Sequence, residues 1–289
     1  MNSTIWLGVV QLVYFAGSIL FFLAAYSRRG WLLRAAAISG LGGATVQLGF
    51  IVHRGMLARR LPITNTYETL VLFSLLLMVS YLVAYRRYGI PALGGFASLV
   101  AAAMLSACSL MSSEIEPLLP SLKSNWLLFH VLASFLGYAA FGLAFASATT
   151  YLILELGLAR MLGFRAYIHP ASANELAQTP PEKGSDNLAI PDFLDWFTYR
   201  AIAFGFPLLT LGIVTGAIWA DACWGSYWNW DPKETWSFIT WFIYAGCLHM
   251  RFAGMRGRTS AIMAVIGFGC VIFTYFGVNY WLAGLHAYA

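Results

Sequence analysis

Charge is scarce in this chain. Only 10% of its 289 residues are Asp, Glu, Lys or Arg, against about 25% in ordinary soluble domains, which excludes a water-soluble globular body. Cysteine is equally thin. Cys108, Cys223, Cys247 and Cys270 form no CxxC pair and no metal-ligand spacing. Three of them sit inside apolar runs, where a lone Cys packs as a small buried residue, so a dithiol redox enzyme is excluded. No internal repeat is evident, and no nucleic-acid partner is expected. Histidine is limited to five, few enough to weigh one by one.

Apolar side chains are what the chain has in plenty: 60% of residues are hydrophobic and the mean hydropathy is +0.71. Crossing a bilayer takes roughly 20 apolar residues in a helix, at about 1.5 Å each. Eight apolar runs can be read: Thr4–Tyr26, Ala35–Val52, Thr66–Tyr85, Pro91–Met111, Trp126–Leu154, Trp196–Ala220, Thr235–Met250 and Ala261–Ala283. The expectation is one all-α, polytopic integral domain over residues 1–289, with about eight transmembrane helices in a lipid bilayer. The first run exceeds a signal-peptide core and ends in Ser27-Arg28-Arg29 without a small-residue cleavage site, so it reads as a retained helix.

Lys and Arg accumulate on the cytoplasmic side of membrane proteins. With the amino terminus outside, Arg28, Arg29, Arg34, Arg86, Arg87, Arg160, Arg165, Lys183, Arg200, Arg251, Arg256 and Arg258 fall inside, 12 of the 17 basic residues. Arg54, Arg59, Arg60, Lys123 and Lys233 stay outside. The opposite orientation reverses the ratio, so both termini are expected outside. The longest loop, 159–195, is then cytoplasmic, and its stretch from Thr179 to Asp186 has the composition of a flexible linker. Pro191–Trp196 mixes acids with aromatics and reads as a short interfacial helix leading into the sixth run. Gly212 and Gly216 form a GxxxG face suited to helix packing.

The loop between runs six and seven, residues 219–236, holds five of the eleven tryptophans. An aromatic belt spreads over all helix ends; this concentration does not. Asp231-Pro-Lys-Glu234 has the spacing of a capping box with Pro at the first helical position, so Asp231 reads first as a cap. A capped helix start holds the aromatic loop rigidly above a terminus that favours anions. Trp224, Trp228 and Trp230 offer faces for stacking and N–H donors, which suits a flat apolar ligand with anionic arms, such as haem.

Haem also needs axial ligands, usually histidine. His130 opens the fifth run and His286 follows the eighth, so the topology puts both outside, level with the Trp loop, where they could ligate one iron from opposite faces. His249 lies 13 residues beyond Trp236, about 20 Å deeper along its helix, and cannot share that iron. If it binds haem, its second ligand must come from another protein. His53, among Arg54, Arg59 and Arg60, reads as structural or as a propionate contact, and His169 as incidental. Asn65 and Glu68 have capping-box spacing ahead of the third run, with a second role at the outer site open.

These residues resemble a known family. Trp224-Gly-Ser-Tyr-Trp-Asn-Trp-Asp-Pro-Lys-Glu-Thr-Trp236 is similar to the WWD signature of cytochrome c assembly and haem-handling proteins, closest to the CcsA (ResC) branch of System II. Leu61-Pro…Asn65-Thr-Tyr-Glu68, Trp126-Leu-Leu-Phe-His130, Phe206–Gly212 and Gly277–His286 support it. The resemblance implies haem carried to the periplasmic face of a bacterial inner membrane, with a CcsB/ResB-type partner. There haem b is joined by thioether bonds to the CxxCH motif of an apocytochrome c. It implies outer axial ligation by His130 and His286, and a platform of Trp224, Tyr227, Trp228, Trp230, Asp231 and Trp236. It also implies that His249 is an in-membrane ligand paired with a partner's histidine. Rival readings stay open: a haem chaperone of the CcmC type, a membrane cytochrome b, which would need facing in-membrane histidine pairs, and a non-haem transporter with an aromatic belt.

Overall fold

A computed structural model describes residues 3–27, 29–119, 122–157, 190–282 and 284, with side chains from Ile5 onward. They form α1 (Ser3–Ser27), α2 (Gly30–Ala58), α3 (Thr66–Tyr88), α4 (Pro91–Cys108), α5 (Asn125–Glu155), α6 (Ile190–Trp224), α7 (Pro232–Phe252) and α8 (Arg258–Trp281). No strand occurs among the described residues. All of these helices except α7 are long and apolar enough to cross a membrane. The 21 residues of α7 interleave their apolar side chains with Thr235, Trp236, Ser237, Thr240, Trp241 and Tyr244, which dilutes its hydropathy without breaking the helix.

Water does not drive apolar helices together inside a bilayer, so close backbone approach and polar contacts must hold them. Along the seam of α5 and α6 the chain is stripped of side chains at the contact points. A Cβ on Gly137 would meet the Gly205 carbonyl at 3.1 Å, and one on Gly216 would meet His130 Nδ1 at 2.6 Å. The Gly212–Gly216 face therefore packs as its spacing suggests. In the amino-terminal half, Tyr14 OH donates to Gln47 Oε1 at 2.7 Å. Gln47 Nε2 in turn donates to the Val71 carbonyl at 2.8 Å. These two bonds tie α1, α2 and α3; interhelical hydrogen bonds of this kind contribute about 0.6 kcal/mol each.

Two polar clusters brace the two ends of the bundle. At one end Glu68, 2% exposed, takes Arg54 Nε at 2.9 Å and Arg60 Nη1 at 2.8 Å. Arg54 also donates to the Ser113 and Glu114 carbonyls, so one carboxylate joins the α2–α3 turn to the α4–α5 connection. Asn65 caps α3 by accepting from Glu68 N at 2.8 Å, while Glu68 reaches back to Thr64 N rather than to Asn65 N. At the other end Arg251 of α7 pairs with Asp195 of α6, whose second oxygen accepts from Gly257 N at 2.9 Å.

Two features differ from the sequence reading. The lead-in at Pro191–Trp196 is no separate interfacial helix, because α6 runs unbroken from Ile190 to Trp224. Proline is at home in a first helical turn, and Asp195 is pinned by Arg251 and Gly257. Of the loop expected over 159–195, residues 158–189 lie outside the described residues. In α8, Phe273–Gly277 form a π-helical turn, a widening often found at functional sites.

Candidate functional site

At the Glu68 end, α3, α5, α6, α7 and α8 converge with the Trp loop on an open cavity. His130 enters from α5, Trp219 from α6, Tyr227 and Trp228 from the loop, and Lys233 and Glu234 from the first turn of α7. Asn65 and Thr69 close it from α3, and Thr274, Tyr275 and Asn279 from the π turn and end of α8. Tyr275 OH donates to the Thr66 carbonyl at 2.7 Å, which sews the two walls together.

His130 is held in one ring orientation. Its Nδ1 lies 2.7 Å from the Gly212 carbonyl. A carbonyl only accepts, so Nδ1 carries a proton; in the neutral ring the lone pair then belongs to Nε2. Hydrogen bonds of this type orient the histidines that ligate metals. Gly216 backs the same ring, and Trp219 lies nearly parallel to it, 15° between planes and 6.1 Å between centroids.

The Trp loop is rigid for reasons in its own sequence. Asp231 and Glu234 make the full capping box. Glu234 Oε2 accepts from Asn229 N at 2.7 Å and from Asp231 N at 3.2 Å. Trp230, with φ +56°, sits in the left-handed region, where a bulky residue is strained by about 1–3 kcal/mol. It is 66% exposed and meets Trp228 edge to face at 5.7 Å. Burial pulls the Lys233 ammonium, ahead of the apolar stretch of α7, down to about 8, with the Asp231 carboxylate opposing that shift.

Two buried oxygens of lining residues, Glu234 Oε1 and Asn279 Oδ1, have no hydrogen-bond partner among the described residues.

Of the residues singled out from sequence, the structure brings His130, Tyr227, Trp228 and Asn65 to one cavity. Trp224 packs edge-on against Trp219 at 5.1 Å, and Trp236 against Phe273 at 4.2 Å. Both support the wall rather than line it. Asp231 is the cap and Glu68 the arginine hub. His249 is exposed on the last turn of α7, at the opposite end. His53 stacks on Trp6 with 6.2 Å between centroids, away from the cavity lining. His286 and His169 lie outside the described residues. Sequence reasoning passed over Thr274, Tyr275 and Asn279; the signal was polar residues inside the last apolar run.

Comparison with known proteins gives the family. Residues 63–286 match the family described as cytochrome C assembly protein. A cytochrome c biogenesis protein CcsA of Synechococcus elongatus is 37% identical over 285 residues, covering 89% of this chain and 88% of that protein. The CcsA of Guillardia theta is 36% identical over 232 residues, covering 78% of this chain and 76% of that protein. Among solved structures, a cytochrome c haem lyase CcmF superposes with TM-score 0.59 at 19% identity, covering 95% of this chain. The chain spans 47% of that larger protein, and the likeness is one of fold.

Proposed function

Since this chain belongs to the cytochrome c assembly family and serves cytochrome c biogenesis, we propose that its cavity holds haem b at the periplasmic face of a bacterial inner membrane and presents it for thioether attachment to the CxxCH motif of apocytochrome c. The observation that carries this reading is His130, its Nδ1 proton committed to the Gly212 carbonyl inside a cavity lined by Trp219 and Trp228. The lining fits the ligand. It supplies an imidazole nitrogen for iron, broad apolar faces for the ring, and a half-buried cation, Lys233, for a propionate.

In this proposal His130 and His286 are the two axial ligands, and the braced Trp loop sets the plane of the ring. Attachment then proceeds mainly by positioning, since the nucleophiles are the substrate's own cysteines. His249, exposed near the far end of α7, is the in-membrane ligand, completed by a histidine of a CcsB/ResB-type partner, and haem passes from there to the cavity. The test is purification with the partner and an absorption spectrum of the complex. The double variant His130→Ala, His286→Ala should lose the bis-histidine spectrum and most of the bound haem. Haem retained with an unchanged spectrum would sink the ligand assignment.

A further inference from the structure

A second cavity, a surface groove, opens beside the first at the same end of the bundle. Thr64, Asn65, Thr66 and Leu122 line both, so an occupant of the groove abuts an occupant of the cavity. One wall of the groove is the α4–α5 connection, whose residues 112–119 form neither helix nor strand. This wall is nonetheless fixed. Arg54 donates to the Ser113 and Glu114 carbonyls at 2.8 and 3.1 Å, and Arg60 to the Glu116 carbonyl at 3.4 Å. Ser112, Glu114 and Glu116 line the groove while Ser113 and Ile115 do not, which is the alternation of an extended chain. Among the described residues, the backbone N–H groups of Ile115 and Glu116 meet no acceptor. Both residues are exposed, and since buried N–H groups are almost always paired, these two are open to a partner. The groove also carries charge of one sign. The exposed carboxylates of Glu114 and Glu116 pair with no cation among the described residues. Arg60, the cation in the lining, is engaged by Glu68.

We propose that this groove docks the substrate polypeptide of the neighbouring cavity, as an extended, lysine-bearing stretch beside the CxxCH motif. This rests on the haem-attachment reading above. The main chain of the substrate runs along residues 112–116 and its lysines meet Glu114 and Glu116. Main-chain hydrogen bonds of this kind supply affinity, and alternate side chains supply specificity. Complementary charge steers the encounter and fixes register. The same two carboxylates repel lipid phosphates and haem propionates, which keeps the groove for polypeptide. The four shared residues then pass the next part of the substrate, with its cysteines, into the haem cavity.

The test titrates the two-protein complex in detergent with a fluorescent CxxCH peptide that carries two flanking lysines. The double variant Glu114→Lys, Glu116→Lys should weaken binding by about 10-fold or more at low salt. A peptide with its lysines changed to glutamate should recover that loss on the variant. Both positions are exposed and neither lines the haem cavity, so haem content and absorption spectrum should match the wild type. Tyr280, 55% exposed, lines the groove and not the haem cavity. A photoreactive benzoylphenylalanine in its place should crosslink to the peptide. Peptide affinity within twofold of wild type in the charge-reversed variant would overturn the proposal, as would crosslinking to the partner protein instead of the peptide. A complex that docks the peptide with this charge dependence yet holds no haem would instead strike the haem-attachment reading itself.

Discussion

His130 and His249 lie at opposite ends of one bundle and are treated in opposite ways. His130 is half-buried, hydrogen-bonded through Nδ1, backed by Gly216 and flanked by Trp219. His249 stands exposed on the last turn of α7, about 20 Å along the helix from Trp236. A histidine is oriented for metal by the bonds its other nitrogen makes, and of these two only His130 has one among the described residues. An ionisable residue facing out of a membrane bundle is costly unless something covers it. The difference teaches that one end of the molecule orients its histidine with its own groups, while the other presents one that the proposed function completes with a partner's histidine.

The largest expected effect concerns the clusters that brace the two ends. Glu68→Ala strands Arg54 and Arg60 together, with Arg54 side-chain exposure only 5%. Removing one partner of a buried pair costs about 3–5 kcal/mol. Asp195→Ala strands Arg251 alone, whose side chain is 13% exposed and also lies over Tyr199, so its loss should be clearly smaller. Thermal unfolding in detergent ranks them, and an equal loss would erase the distinction between the ends. Next comes Gly216→Ala, whose Cβ would meet His130 Nδ1 at 2.6 Å. Haem affinity should fall about 10- to 100-fold, the range for disturbing a ligand's supporting shell. Gly246→Ala, with open space around its Cβ, should leave a haem titration unchanged. His249→Ala should lower haem content in the two-protein complex and leave the chain alone unaffected; unchanged content in the complex would remove His249 from the mechanism.

The helices were legible because each apolar run is long, and α3, α5 and α7 also open on a side-chain cap. The Asp231–Glu234 capping box and the Gly212–Gly216 face were read from spacing alone and stand in the fold. What spacing cannot encode is which distant groups meet. Glu68 looked like half of a local capping box, yet its oxygens serve Arg54 and Arg60 from the preceding helix and turn. The bond from His130 to Gly212 spans 82 residues. The π turn at Phe273–Gly277, which carries Thr274 and Tyr275 into the cavity wall, has no sequence marker comparable to a cap.

The smallest effect sharpens the comparison most. Trp230 keeps a left-handed backbone that suits glycine, while 66% of it faces outward. Its ring meets Trp228 edge to face at 5.7 Å and Phe238 at 6.5 Å, contacts contributing about 0.5–1.5 kcal/mol each. Trp230→Gly gives these up and releases about 1–3 kcal/mol of backbone strain, so stability should change by no more than about 1 kcal/mol. Trp230→Val, β-branched and without the ring, should lose the contacts and keep the strain, and so should be clearly less stable. A loss of several kcal/mol in Trp230→Gly would mean that the indole is packing material like Trp236. If stability holds in Trp230→Gly while haem binding drops, the strain exists to display an aromatic face to a ligand, and the cavity end is pre-shaped in a way that the His249 end is not.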